Sequence, residues 1–299
     1  MKKRTYKKTI QKSGILEICM VFCIMLILPI NISLFVSDSA DTEKREKKVL
    51  DSEIEWQVLH ELAAVIPVEY EEETLKAQAV ILRTNILADG EQLQEFPLLF
   101  TYKEKWGNQY NENCEKLLRV VTETEGMYLV NEGAYVRTSY FRLSNGSTRN
   151  AAECLGKKYT AFTAKKCGND LLSEEFVWKK EVGKQQFFTK LVSMTGEQMT
   201  VDAWEKTEIT YARDSAGYVL SVSFGSIRIG GEIFRQAFFL PSSDFTISCE
   251  NDTIFITTRG IGNGIGFCQY GANEMAKEGK NFLELLNYFF TNIAISKTE

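Results

Sequence analysis

The chain has 299 residues, 44% hydrophobic and 25% charged, with 20 Gly and 4 Pro. That length can bury a large core in one domain or two small ones, and the composition excludes collagen, coiled coil and intrinsic disorder. The formal net charge is −5 although the first 17 residues hold six bases against one acid, so the body is acidic and unsuited to wrapping a nucleic-acid backbone.

Residues 1–17 form a basic segment expected on the cytoplasmic side. Residues 18–36 are an uncharged apolar run that, as a helix, would span about 28 Å against a hydrocarbon core of roughly 30 Å. The run reads as an uncleaved single-pass anchor that leaves the rest of the chain outside the cell membrane. A cleaved signal peptide is the competing reading, and Pro29, Asn31 and Ser33 sit inside the span. Residues 37–52 are a charged linker without aromatics, and the domain proper is placed at 53–295.

Val58, Leu59, Leu62, Val65 and Ile66 recur at helical spacing, and Pro67 ends that helix. Glu71, Glu72 and Glu73 open a second helix with the stripe Leu75, Ala79, Leu82 and Ile86, closed at Asp89-Gly90. Residues 113–127 read as helix, 127–141 as extended chain, and 143–150 as a polar turn. Residues 178–190 are expected to be helical. From 207 the pattern turns to strands, with hairpins at Gly225-Ser226 and Asn251-Asp252 and a short helix over 232–239. A helix is expected from Tyr270 to Glu278, and Asn281 with Glu284 reads as a capping pair for a last one. The order of helices, mixed segment, strands and helices predicts an α+β fold, a single large mixed domain that is either undivided or set as two lobes around a cleft.

His60 is the only imidazole, so a His-rich zinc site is excluded. Five cysteines lie beyond the apolar run: Cys114, Cys154, Cys167, Cys249 and Cys268. They read as free buried thiols, with a Cys154–Cys167 disulfide as the alternative, and no metal site is assigned. The glycines from Gly260 to Gly266 fall at every second residue, which fits neither a dinucleotide loop nor a P-loop. Alternate glycines instead let the backbone approach either a substrate or a packed neighbour closely.

Four motifs resemble, in order, those of the stage II sporulation protein D family. Residues 262–272 (GNGIGFCQYGA) are similar to its C-terminal GHGVGMSQYGA, and residues 63–84, which contain LKAQAV and RT, to its N-terminal motif. Ser144 to Ala151 matches the middle segment. Glu232-Ile233-Phe234-Arg235 with Ser243-Asp244-Phe245 matches the fourth. The resemblance covers about residues 53–295 and implies a cell-wall protein of spore engulfment, anchored in the membrane on the mother-cell side of the septum. It implies lytic transglycosylase activity on denuded peptidoglycan glycan strands, or a relative of the amidase enhancers, with no cofactor. Other engulfment proteins or wall hydrolases are the implied partners.

The family's proton donor is the Glu of a Glu-Met-Pro triplet, and here that triplet is Val65-Ile66-Pro67. The C-terminal His is Asn263. The middle segment's frequent His, which helps to bind zinc in some members, is Arg142. The residues expected to bind glycan are Lys76, Arg83, Ser144, Asn263, Gln269 and Tyr270. Three readings follow: a glycan-binding protein with impaired cleavage; an active transglycosylase using Glu61, one helical turn before Val65, or Glu69, just past Pro67; and a non-enzymatic scaffold that recruits wall hydrolases.

Overall fold

The computed structural model describes residues 50, 52–90, 96–156, 161–196 and 208–298. The basic segment, the apolar run 18–36 and residues 37–49 of the linker lie outside the described residues. No helix among those described is long and apolar enough to cross a membrane. What is described is a mixed α+β fold.

Helix α1 spans Glu53–Val65. The Ser52 hydroxyl accepts from the Ile54 amide, Glu53 and Glu55 face the positive end of the helix dipole, and Pro67 follows the C-cap Ile66. Helix α2 is Glu72–Ala88 and α3 is Tyr110–Glu123. Their facing stripes, with Val58, Leu62, Leu75, Leu82, Leu117 and Val120, are fully buried against one another, and Leu50 joins the same core. Each such side chain stabilises the fold by about 1.5–3 kcal/mol. The opposite face of α2 buries Ala77, Val80 and Ile81 in a second core, so this helix is covered on both sides.

Strand β1 (Met127–Asn131) pairs antiparallel with the hairpin strand β2 (Ala134–Tyr135) and with a C-terminal strand that the sequence pattern does not announce, Ala294–Lys297. Strand β3 (Tyr140–Phe141) pairs parallel with the later strand Phe267–Cys268. The third core belongs to two three-stranded antiparallel sheets. One orders β4 (Val177–Gly183), β9 (Thr253–Arg259) and β8 (Phe245–Glu250). The other orders β5 (Ile209–Arg213), β6 (Val219–Phe224) and β7 (Ile227–Gly230). Helices α4 (Lys184–Thr195) and α5 (Gly231–Ala237) pack here, with Phe234 stacked on Phe245 at 4.8 Å between ring centroids.

Residues 178–190 correct the sequence expectation. Val177 to Gly183 form a strand in continuous register with β9, and the helix begins only at Lys184. Val177, Trp178 and Val182 suit a pleated surface, and the partner strand decides between the two conformations. The last helices agree with expectation. Strand β10 (Phe267–Cys268) leads into α6 (Gln269–Lys277), and α7 (Phe282–Phe289) carries a full capping box between Asn281 and Glu284.

Candidate functional site

The C-terminal motif meets α1 and the 140–144 segment, where Gln269 reaches Val65 and β10 pairs with β3, and the fourth motif joins the middle segment where Asn145 donates to Asp244 at 3.0 Å. The alternate glycines resolve in favour of a packed neighbour. Gly262 and Gly266 have φ of 115° and 84°, a region that side chains avoid. A Cβ on Gly262 would strike the Phe141 side chain, and one on Gly266 the Ser139 carbonyl. The glycine run therefore serves to let two backbones touch.

The middle segment is likewise buried architecture. The Ser144 amide donates to Asp170 at 2.7 Å, and the Ser144 hydroxyl accepts from the Gly146 amide at 3.0 Å. Arg149 forms a buried ion pair with Asp214 at 2.6 Å and lies over the Tyr218 ring. Asn150 caps the short helix Ala151–Cys154. In the fourth motif Asp244 pairs with Arg213 at 2.9 Å. The five cysteines described are free thiols, so Cys154 and Cys167 are not joined.

A cleft of about 560 Å³ lies between α1, α2 and this packed turn. Gln57, Glu61 and Val65 line it from successive turns of α1, Asn85 from α2 and Asp89 from its C-cap, and Arg137 to Tyr140, Asn263 and Ile265 from the opposite wall. The Asn85 carboxamide clamps Thr138 with bonds of 2.7 and 3.0 Å, which fixes the spacing of the walls. Arg137 pairs with Asp89 at the rim.

Glu61 is the group with unusual chemistry. Burial pushes its carboxyl from the ordinary 4.5 up to about 7, against the opposing influence of a hydrogen bond from Gln57 and the charge of Arg137. Tyr140, on the facing wall, is pushed up to about 12, first by burial and then by the Glu61 charge, and keeps its proton. Glu69 is exposed and lies away from the cleft lining.

The expected glycan-binding residues are dispersed. Asn263 lines the cleft beside Val65, although its Oδ1 accepts from the Ile265 amide at 3.0 Å and so braces the turn. Gln269 is buried behind Val65 and donates to the Val65 carbonyl at 3.0 Å and to Gln78 at 3.1 Å. Lys76 faces Glu73 and Glu123, at 2.8 and 2.7 Å, and does not line the cleft. Arg83 is buried, held by two 2.6 Å bonds to Glu55, and donates to the Met127 carbonyl at 2.9 Å. Ser144 lies in the middle loop. Tyr270 stands at the start of α6, where its amide donates to the Arg142 carbonyl at 2.9 Å. Arg142 turns its guanidinium to Glu175 at 2.7 Å.

Of the tryptophans, Trp106 is buried and Trp56 packs on His60, while Trp178 is partly exposed on β4. Trp204 lies outside the described residues. Sequence reasoning missed Glu55, Asn85 and Arg137. None of the three left a signal there, because each is marked out by a partner far along the chain: Arg83 for Glu55, Thr138 for Asn85 and Asp89 for Arg137.

A family model described as Stage II sporulation protein matches residues 42–131, which include α1 and α2. The chain is 28% identical to Stage II sporulation protein D of Bacillus amyloliquefaciens over 263 residues, covering 82% of this chain and 75% of that protein. The Bacillus subtilis protein of the same name gives 28% over 264 residues, with the same coverage. Over most of its length the chain is thus similar to stage II sporulation protein D. A more distant relative is the amidase enhancer of Bacillus subtilis, 21% identical over 289 residues, covering 77% of this chain and 39% of that protein. For a stage II sporulation protein D relative, the cleft has two unexpected features. A hydrocarbon stands at the triplet's first position, and an acid of raised pKa stands one turn earlier.

Proposed function

We propose that this sporulation protein is a lytic transglycosylase of septal peptidoglycan in which Glu61 is the acid and base. The supporting observation is the Glu61 carboxyl, half-buried in an open cleft with its pKa raised to about 7. A single-carboxyl transglycosylase requires a group that holds a proton near neutral pH and can release it within hydrogen-bond reach of substrate.

The steps balance without water. Glu61 gives its proton to the glycosidic oxygen as the bond from that oxygen to C1 breaks. The resulting carboxylate takes the proton of the same sugar's C6 hydroxyl as O6 bonds to C1, closing the anhydro ring and restoring the acid. The Tyr140 hydroxyl and the Asn263 amide offer hydrogen bonds to sugar from the facing wall. Val65 supplies apolar wall beside Glu61, which favours the protonated carboxyl. Residues 18–36 would hold the domain to the membrane outside the cell, facing its substrate.

A second reading is favoured by Val65 itself: a groove that binds glycan strands and recruits another hydrolase without cutting. One experiment separates the two. Denuded glycan strands are incubated with the purified protein and the products analysed by mass for anhydro ends. The proposal expects anhydro-ended fragments to accumulate with time. Strand binding without any such product would leave the second reading.

A further inference from the structure

Helix α5 ends in a turn that works against the residue occupying it. The Leu240 amide donates to the Arg235 carbonyl at 2.9 Å and the Phe239 amide to the Gln236 carbonyl at 3.1 Å, the paired bonds of a Schellman cap. Such a cap places the residue after the C-cap in the left-handed region, where glycine is usual. Phe239 holds that position here, with φ of 51°. Its ring is 80% exposed, so burial offsets neither the strain nor the contact with water. A local conflict with no gain inside the fold points to a role outside it.

The ring is held in place. Lys180 on β4 donates to the Phe238 carbonyl at 2.7 Å, and its ammonium lies 5.7 Å from the Phe239 ring centroid. The ring borders a groove of about 730 Å³ between α4, β4 and the end of α5. Gln185, Gln186, Thr189, Lys190 and Ser193 form the α4 side, at spacings that share one helix face. The carboxamides of Gln185 and Gln186 bond to no other described residue, and neither Lys180 nor Lys190 forms an ion pair among the described residues. The Thr189 and Ser193 hydroxyls donate to the Gln185 and Lys190 carbonyls, which leaves their lone pairs free to accept. Glu181 is the acid in the lining. Trp178, two residues before Lys180 and so on the same face of β4, is partly exposed and continues the surface along the strand.

The lining distinguishes two kinds of occupant. A protein interface needs an apolar centre from which water is expelled. Val182 and Phe238 are buried here, Ala237 is half-buried, and Phe239 is the exposed apolar side chain of the groove. A sugar chain has different needs. The C–H face of a pyranose lies on an aromatic ring, while its hydroxyl and acetamido groups exchange hydrogen bonds with amides, hydroxyls and ammonium groups around it. An open phenyl ring beside two carboxamides, two hydroxyls and two lysines has that composition. Two ammonium groups against one carboxylate suit a glycan that itself carries carboxylates.

We propose that this groove is a second glycan-binding site, which takes an acidic sugar chain with Phe239 as its stacking platform. The identity of the chain, peptidoglycan strands with free muramyl carboxylates, rests on the function proposed above. None of the groove's lining residues lines the Glu61 cleft, so the groove holds a strand without cutting it.

The test reads where strands bind. Denuded glycan strands, or uncharged chitin oligosaccharides of similar length, are added to the purified full chain, as wild type and as Glu61→Gln, and backbone hydrogen exchange is followed by mass. The expected result is slowed exchange over residues 184–195 and 237–240 in both chains with the acidic strands, and weaker protection with chitin oligosaccharides. Phe239→Gly and Lys190→Glu should each lower strand affinity by about 10-fold. Phe239→Gly should do so with the melting temperature retained or raised, because glycine relieves the left-handed turn.

Protection confined to the Glu61 cleft would overturn the proposal, as would chitin oligosaccharides that protect the groove as well as acidic strands do. Full affinity in both variants would do the same. So would groove protection that appears on raising the protein concentration without glycan, which would make the surface an interface between two copies of the chain. Absence of anhydro ends from the wild-type incubation would sink the Glu61 reading and leave this one standing, because groove protection requires no cleavage.

Discussion

Two stretches form facing walls of the cleft, and they differ in what their residues do. Residues 262–266 do their work with the backbone, through positive φ at alternate glycines and close contact with Ser139 and Phe141. The cleft-facing turns of α1 do theirs with side chains, and there Val65 occupies the expected acid's position while Glu61 presents a carboxyl one turn away. A backbone role is tied to one position in the chain because steric room is local. A side-chain role is less tightly bound, because residues four apart on a helix share a face about 6 Å apart.

The largest effect expected from that contrast is on cleavage. Glu61→Gln should lower the rate of anhydro-end formation by roughly 10²–10⁴-fold, the usual worth of a positioned acid and base, with the thermal melt retained. Val65→Glu in that background should restore part of the rate. Wild-type turnover in Glu61→Gln would remove the side-chain half of the comparison.

Next comes the ion pair that α1 makes on its far side. Arg83 is 1% exposed and bound twice to Glu55, whose Oε1 also accepts the Gly126 amide at 3.2 Å. Arg83→Ala should cost about 3–5 kcal/mol, because a buried carboxylate is left without its partner. Urea denaturation measures it. A loss under about 1 kcal/mol would mean that water enters to replace the guanidinium.

Arg83 also shows where sequence reading stops. The α1 stripe, the α2 start, the two hairpins and the Asn281–Glu284 cap are all legible, because each depends on residues within a few positions of one another. The strand over 177–183 depends on β9, some 75 residues later, and no local pattern carries that. The same limit applies to the site. Lys76 and Arg83 share a helix face by spacing, yet one turns to Glu123 on α3 and the other to Glu55 on α1, and only the packing of three helices separates them. Glu61 is legible as a neighbour of Val65. Its raised pKa is not, because that comes from a wall built by residues 137–140 and 263–265.

The pH dependence of stability sharpens the α1 side. The folded Glu61 carboxyl titrates near 7 and the unfolded one near 4.5, so the folded chain holds the proton more tightly. The stability this confers is complete below about pH 4.5 and is lost as pH rises through about 7. Glu61→Gln does not suffer that loss, so at pH 8 it should exceed wild type by roughly 1–2 kcal/mol more than it does at pH 4, after allowance for the water that reaches the carboxyl. Parallel pH profiles of the melting temperature would contradict a desolvated acid.

The smallest effect should come from Lys76. Its ammonium bridges Glu73 and Glu123, which are substantially open to water. Partly exposed pairs of this kind contribute about 0–1 kcal/mol, and Lys76→Gln keeps most of the packed stem while removing the charge. Both the melt and the cleavage kinetics should therefore stay close to wild type. KM is the discriminating readout. A KM raised tenfold with unchanged kcat would mean that the glycan strand runs across the outer face of α2 as well as through the cleft, and the comparison would then need a third surface whose charge serves binding alone.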